Sequence, residues 1–303
     1  MEYKNLPDIR GWAALRAVVE KGSVSAAAHV LNVGQPAVTK RLHTLEDSYG
    51  LTLVERGGGQ VRLTAAGEKV YLLAVQTLDR QLTLRHELEN MRRGKSTLHL
   101  DVTIAIGEHF LPRFLLQFSE MYPQYRIDSR MVYGRQSENN LASGMTDLAL
   151  LERPPEHPDL MVQKWMEDEL LLVCGLNHPL VEEDMIPITM LLDLSYVLRE
   201  PGSAARLDMN EALERIGIHT LDIALEVGAT DALIDVLIPG LHTSFLPRFA
   251  VLDHIKAGRL HHIKVSGFRI MRTLWIARHR NNIDHPVGDA LIDIIRRDAK
   301  NKT

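Results

Sequence analysis

The sequence predicts an α/β protein with an all-α-rich N-terminal part. A winged helix-turn-helix spans 1–64, a long linker helix 65–94, and a two-lobed, Rossmann-like α/β body 95–303. Three observations predict this. Residues 23–46 read as two short helices broken by a tight turn. Residues 65–93 carry a long apolar stripe at helical spacing. Beyond residue 97, β-prone runs alternate with amphipathic ones, the pattern of a mainly parallel sheet with crossover helices.

In the first helix, Ile9, Trp12, Ala13, Leu15 and Val18 recur at helical spacing, and Lys21-Gly22 supplies a basic last turn followed by glycine. The stretch SVSAAAHVLNVGQPAVTKRLHTLE follows. Ser23 or Ser25 caps its first helix, because a side-chain oxygen satisfies the free amides of a helix start. Asn32-Val33-Gly34 is the break, with Asn32 or Gly34 free to take a left-handed backbone. Pro36 sits in a first turn, where its missing N–H costs nothing. Ala37, Val38, Leu42 and Leu45 mark the buried face of the second helix, and Gln35, Thr39, Lys40 and His43 much of the other. By itself this is either an ordinary helical hairpin or a helix pair whose second member enters a DNA major groove.

The flanks favour the DNA reader. Two β-prone runs, Leu51–Glu55 and Gln60–Thr64, surround Arg56-Gly57-Gly58-Gly59, a hairpin with a glycine tip. A hairpin after a helix-turn-helix is a wing, and Arg56 and Arg62 flank its tip as phosphate or minor-groove contacts. Thr64 caps the next helix, with Gly67 in its first turn. Tyr71, Val75, Leu78 and Leu82, then Leu84, Leu88 and Met91, form a seam for another helix, shifting phase near Leu82–Leu84. A second copy of the chain is one partner for that seam; its own body is the other.

Arg92-Arg93-Gly94-Lys95-Ser96 reads as a linker. In the body, Leu98–Ile106, Tyr125–Tyr133, Asp147–Leu151 and Leu170–Cys174 read as strands. Leu111–Met121 and Ser137–Ser143 read as helices. A second round has strands at Tyr196–Arg199, Asp222–Glu226, Thr243–Leu246, Leu260–Lys264 and Thr273–Ala277. Its helices are Ala204–Ile216, Thr230–Ile238, Phe249–Ala257 and Pro286–Arg296. Leu111-Pro112-Arg113-Phe114 recurs as Leu246-Pro247-Arg248-Phe249, each opening a helix after a strand. Two lobes of similar design would explain the repeat, and ligands bind in the cleft between such lobes.

Composition bounds the function. The 303 residues have an average apolar and charged content, with ample material for cores. No apolar run reaches the length of a membrane span, and the N-terminus has no signal core, so the expected compartment is the cytoplasm, with no membrane partner. The single cysteine, Cys174, excludes an internal disulfide and a CxxC metal site. Net charge is −4, but residues 1–94 carry 13 basic and 10 acidic side chains against 22 and 29 in the remainder. A mildly basic module on an acidic body suits a DNA-binding domain joined to something else.

Within the helix pair, Gln35 can read an adenine edge or simply cap its helix, while Thr39 and Lys40 lie one turn on, toward bases or phosphates. Ser23, Ser25, Pro36 and Arg41 complete the expected DNA-facing set; Arg41 alternatively pairs with Glu46 or Asp47. In the body, Gly202-Ser203 precede a helix start, which either binds an anion through free amides or is capped by Ser203. Arg135, Arg199 and Arg206 are counter-charges. Thr230 begins a helix, and His242 and Thr243 follow a glycine turn. No nucleophile–base constellation, P-loop, HExxH or glycine fingerprint is present, so neither catalysis nor a cofactor is expected.

With these residues in view, the chain resembles the LysR-type transcriptional regulators over essentially its whole length. The match runs through Ala27-Ala28, Leu31, Gln35-Pro36-Ala37-Val38-Thr39, Leu45-Glu46, Gly50, Leu53, Glu55-Arg56, Leu63-Thr64 and Ala66-Gly67. It continues in Leu111-Pro112, Tyr122-Pro123, Gly144 with Asp147-Leu148-Ala149, His178-Pro179-Leu180 and Arg199-Glu200-Pro201-Gly202-Ser203. The last segment is most similar to regulators of carbon fixation and of sulfur or nitrogen metabolism. Four positions depart from the pattern: Gly34 stands for Ser, Val54 for Phe, Asp101 for Gly, and His242 for the second glycine of a lobe-II turn.

The resemblance implies a winged helix on double-stranded DNA, a dimerising linker helix and an effector domain like a periplasmic binding protein. Its lobes would be 97–173 with 275–303, and 174–274. It implies homodimers that pair into homotetramers, contact with RNA polymerase, and control by a small-molecule effector. Thr103, in the first body strand and beside Ile104, matches the position where a hydroxyl meets the ligand. Thr103, Ser203, Thr230 and Thr243 facing one cleft would suit a small carboxylate or oxyanion. The rival reading is a small-molecule-binding protein with a helical dimer module and no DNA role.

Overall fold

The computed structural model describes residues 6–57, 60–92, 97–282 and 285–300. It divides into two units, Met1–Arg92 and Arg93–Thr303. Gly58 and Gly59 of the wing tip, and Arg93 to Ser96 of the linker, lie outside the described residues.

In the first unit, α1 (Ile9–Lys21), α2 (Val24–Val30) and α3 (Gln35–Tyr49) precede the hairpin β1 (Val54–Gly57) and β2 (Gln60–Leu63), and α4 (Ala65–Arg92) closes it. Ser23, not Ser25, caps α2, its Oγ accepting from the Ala26 amide at 3.1 Å. Asn32 takes the left-handed turn (φ 52°), while Gly34 stays extended and caps α3 without a side chain. Ala14, Leu15, Val18, Ala27, Val38, Leu42, Leu45 and Leu53 form the core. Burying a side chain such as Leu15 or Leu45 contributes about 1.5–3 kcal/mol. Glu46 accepts from the Leu53 and Val54 amides, which joins α3 to the wing. Thr64 caps α4, its hydroxyl accepting from Gly67 N at 2.9 Å and donating to Thr52 O at 2.8 Å. A Cβ on Gly67 would stand 2.0 Å from Leu53 O, so only glycine lets α4 leave the wing there. Along α4, Ala74 is buried in the unit, whereas Leu72, Leu73, Leu82, Leu84 and Leu88 are exposed.

In the second unit, one sheet runs in the order β4 (Arg126–Met131), β3 (Thr97–Val102), β5 (Leu148–Leu151), β11 (Ile270–His279), β6 (Leu160–Gly175), β9 (Thr243–Pro247), β7 (Ser195–Arg199) and β8 (Asp222–Val227), with β10 (Leu260–His262) on β6. The lobe-I strands are β3 (Thr97–Val102), β4 (Arg126–Met131) and β5 (Leu148–Leu151). They pack with α5 (Ile104–His109), α6 (Leu111–Met121) and α11 (Pro286–Lys300) around Leu98, Leu100, Phe110, Phe114 and Ile295; α7 is Gly134–Ala142. Lobe II holds β7 (Ser195–Arg199), β8 (Asp222–Val227), β9 (Thr243–Pro247), α8 (Ala204–Glu214), α9 (Thr230–Leu237) and α10 (Arg248–Lys256). Clusters around Tyr196 and around Leu233 form its cores.

The expectation of a mainly parallel sheet needs correcting. The pairs β3·β4, β3·β5, β7·β8 and β7·β9 are parallel, but β6 (Leu160–Gly175) and β11 (Ile270–His279) run antiparallel to each other and to their neighbours. These two strands pass through both lobes. The outer half of β6 carries no strand signal because Met161–Lys164 is exposed and Met161–Glu169 mixes apolar with polar residues without alternation. A second correction concerns 98–106: the strand ends at Val102 and the chain turns into α5. The first Leu-Pro-Arg-Phe therefore follows a short helix rather than a strand.

Candidate functional site

On the first unit, Gln35, Pro36, Thr39, Lys40 and His43 line one surface groove along α3. Val38, Leu42 and Leu45 hold that helix from behind, so the polar face is presented by the apolar one. Ser25 Oγ donates to Gln35 Oε1 at 3.2 Å and fixes the first side chain of α3 from the start of α2. Lys40 is exposed. Arg41 makes no ion pair among the described residues, with Glu46 or with Asp47; Glu46 is taken by the wing amides and lies 3.5 Å from His43. Arg62 pairs in register with Glu55 on the hairpin, and Arg56 with Val61 through the backbone; the Arg56 side chain is outside the described part.

The second unit contains a 420 Å³ cavity between its lobes. Thr103 and Ile104 at the start of α5, Tyr133, Gly134 and Arg135 at the start of α7, and Arg153 beyond β5 supply one wall. Arg199, Pro201, Gly202 and Ser203 supply the other. Thr103 lies one residue past β3, at the N-cap of α5, not within the strand. It is 5% exposed, and its Oγ1 is buried with no hydrogen-bond partner among the described residues. An unpaired buried hydroxyl costs about 1–3 kcal/mol, and this one lies on the cavity wall. Ser203 caps α8, accepting from Arg206 N at 3.3 Å. The start of α7 has no side-chain cap. Arg135 is an exposed cation on the cavity rim.

The cationic groups differ in availability. Arg199 spends its guanidinium inside the protein: Nε and Nη2 fork onto Glu200 at 2.9 Å each, Nη2 also reaches Gly228 O, and Nη1 reaches Thr230 Oγ1 at 2.8 Å. It is not the free counter-charge expected of it. Arg206 donates to Arg199 O, and burial lowers its pKa. Arg153 is held by Asp208 at 3.3 Å and Glu211 at 2.6 Å.

Thr230 stands behind Arg199 and does not line the cavity; its amide donates to Glu108 Oε2 at 3.2 Å. Burial raises the Glu108 pKa, against hydrogen bonds from Thr230 that lower it. His242 and Thr243 are corrected more strongly. Thr243 pairs with Tyr196 at the start of β7, about 10 Å along the strand from Arg199 at a rise of roughly 3.3 Å per residue. Its Oγ1 donates to Ser195 O, and His242 Nδ1 lies 3.2 Å from Ser195 Oγ. Both residues serve the far end of lobe II. The turn containing Gly240, at φ 85°, looked like a ligand loop only while its end of the sheet was unknown.

Sequence reasoning missed Tyr133, Glu108, Glu200 and the buried network under the cavity. There, Arg272 Nε meets Asp168 at 2.8 Å and its Nη1 meets Glu152 at 2.9 Å and Asp208 at 3.6 Å. No local pattern announces these residues, because their partners lie on strands and helices far apart in the chain.

Residues 9–68 match the family described as bacterial regulatory helix-turn-helix protein, lysR family, and residues 92–300 match the LysR substrate binding domain. The transcriptional activator CmpR of Synechocystis sp. is 26% identical over 282 residues, 92% of this chain and 91% of that protein. The regulator CbbR of Xanthobacter flavus is 28% identical over 285 residues, 92% of this chain and 84% of that one. Full-length CbnR complexed with its target DNA superposes with a TM-score of 0.71 at 21% identity, covering 96% of this chain and 99% of that one. The regulatory domain of Synechocystis CcmR in complex with 2-PG superposes at 0.62 and 25% identity, covering 68% and 98%. The chain belongs to the LysR family: it is a DNA-binding transcriptional regulator controlled by an effector bound in its C-terminal unit.

Proposed function

We propose that the effector is a small anionic metabolite and that it binds in the interlobe cavity through Thr103, Gly202, Ser203 and Arg135, with Ile104 as an apolar wall. One observation carries this reading: the orphaned Thr103 hydroxyl faces a cavity whose walls include the starts of α7 and α8. Helix starts favour negative charge through their free amides and their dipoles. Arg199 shapes the pocket and Thr230 braces it. The CcmR regulatory domain is in complex with 2-PG, which makes 2-PG a first compound to test.

At the other end, Gln35, Thr39 and Lys40 read or position DNA, with Ser23, Ser25 and Pro36 setting the helix start, and Arg41, Arg56 and Arg62 near phosphates. Residues 1–64 form the DNA-binding domain, 65–94 the dimerisation helix, and 95–303 the effector domain. The exposed leucines of α4 support a homodimer through that helix, and two dimers form a tetramer. The protein works in the cytoplasm, performs no catalysis, and meets RNA polymerase at the promoter. Effector in the cleft shifts the balance between two assembly states by its different affinity for them.

A thermal-shift screen of anionic metabolites on the full chain, followed by calorimetry on Thr103→Val and Ser203→Ala, tests the site. Loss of affinity in either variant is the expected result. Full affinity in both, for a ligand that stabilises the wild type, would place the effector elsewhere.

A further inference from the structure

We propose that Glu200 is an internal anion that the effector must replace: an entering carboxylate or phosphate takes over the fork of Arg199, and neutral compounds of the same shape are refused. This rests on the reading of the interlobe cavity as the effector site. Arg199 lines that cavity and is 5% exposed. A guanidinium has five N–H donors. Two of them form the fork onto Glu200, the geometry in which arginine holds a carboxylate or a phosphate. The remaining bonds, to Gly228 O and Thr230 Oγ1, go to neutral acceptors of the lobe-II framework. They keep the guanidinium in place when Glu200 leaves.

The two partners differ in where they can go. The Glu200 side chain is 22% exposed, on the loop between β7 and α8, and can swing into water. Arg199 cannot follow. A buried guanidinium stripped of its carboxylate is strongly penalised, so only a species that brings its own negative charge can take the position. Anion selectivity then comes from the cost of leaving Arg199 unpaired, a discrimination against wrong ligands rather than an added contact to the right one.

The exchange also reaches both lobes. Glu200 lies beside the Tyr133 hydroxyl at the start of α7, across the cleft. Behind Arg199, Thr230 is tied to Glu108 on α5. The chain Tyr133, Glu200, Arg199, Thr230, Glu108 leaves lobe I and returns to it. Replacing Glu200 by a ligand releases the Tyr133 end and keeps the Glu108 end, so one lip of the cleft is freed while the other stays anchored.

The test is isothermal titration of the full chain with inorganic phosphate, succinate and neutral succinamide. Glu200→Gln should bind phosphate or succinate at least tenfold more tightly than wild type, because the competing carboxylate is gone. The anion with the larger gain identifies the head group. Succinamide should bind neither protein, and adding Arg199→Lys to Glu200→Gln should cancel the gain, with thermal melting confirming that the double variant folds. Unchanged anion affinity in Glu200→Gln would overturn the exchange; if Thr103→Val still weakens wild-type binding, the cavity remains the effector site. No anion binding by either protein would overturn both readings. A gain that survives Arg199→Lys would reduce Glu200 to a background charge and overturn the exchange, as would tight succinamide binding.

Discussion

Arg272 of β11 and Asp168 of β6 face each other across the two long strands, Nε to Oδ2 at 2.8 Å, and both are buried. Glu152 and Asp208 close on the same guanidinium from opposite lobes, so one arginine joins both lobes where the paired strands pass between them. Burial alone would lower its pKa, but the three carboxylates raise it, and it stays charged. Arg272→Met leaves those carboxylates uncompensated in the interior. The variant should lose about 3–5 kcal/mol, the cost of removing one partner from a buried pair. Urea denaturation followed by circular dichroism measures this, and a loss under 1 kcal/mol would contradict the hub.

Thr103→Val should separate stability from function. The Oγ1 has no hydrogen-bond partner among the described residues, so replacing the hydroxyl by a methyl removes an unpaired polar group. The ligand-free protein should be unchanged or more stable by about 1 kcal/mol. Effector affinity should fall in the same variant. Thermal melting with and without ligand reads both effects, and a large destabilisation of the ligand-free form would mean that the hydroxyl has a structural role instead.

Asp101 should give the second unit a measurable pH dependence. It is fully buried on β3, accepts from Asn140 Nδ2 at 2.7 Å and lies 3.4 Å from Arg130. Burial raises its pKa despite these partners. A carboxyl whose folded pKa lies above its unfolded one binds its proton more tightly when folded. Its contribution is complete below the unfolded pKa, about 4, and is lost as pH rises through the folded value. Asp101→Asn keeps an acceptor for Asn140 and should flatten that part of the stability curve. Identical slopes for the two proteins in denaturation series from about pH 4 to 7 would refute the assignment.

Lys40→Ala should weaken DNA binding broadly rather than at one base, and reduce the slope of log affinity against log salt by about 1, as expected for one phosphate contact. Gln35→Ala should instead relax preference at one base pair, at about 1–3 kcal/mol. Fluorescence anisotropy with promoter fragments across a salt series distinguishes the two. Lys40 is exposed, so its removal should leave folding intact.

Gly67→Ala should unfold the wing junction. The added Cβ would meet Leu53 O at 2.0 Å and Leu63 Cδ2 at 3.1 Å, and the former is backbone that cannot step aside. A loss above about 2 kcal/mol is expected from overpacking of this kind. A melting temperature unchanged from wild type would show that the contact is not needed.

Much of this protein was determined by local sequence. Ser23, Asn32, Pro36 and Gly50 punctuate the helices of the first unit, and the apolar spacing of Val38, Leu42 and Leu45 decides which face of α3 remains polar. Capping and periodicity act within a few residues, so they can be read from a line of text. The alternation of β and α segments likewise announced an α/β body. The tertiary structure decided the rest. It carried β6 and β11 through both lobes, turned Thr103 from a strand residue into a helix cap on a cavity, and moved His242 and Thr243 to the far end of β7. It also gave Arg199 to Glu200 and Thr230. Which end of a strand faces the cleft depends on strand order and direction. Whether an arginine is free depends on what packs beside it. Both are set by contacts between residues far apart in the chain, where no spacing rule reaches.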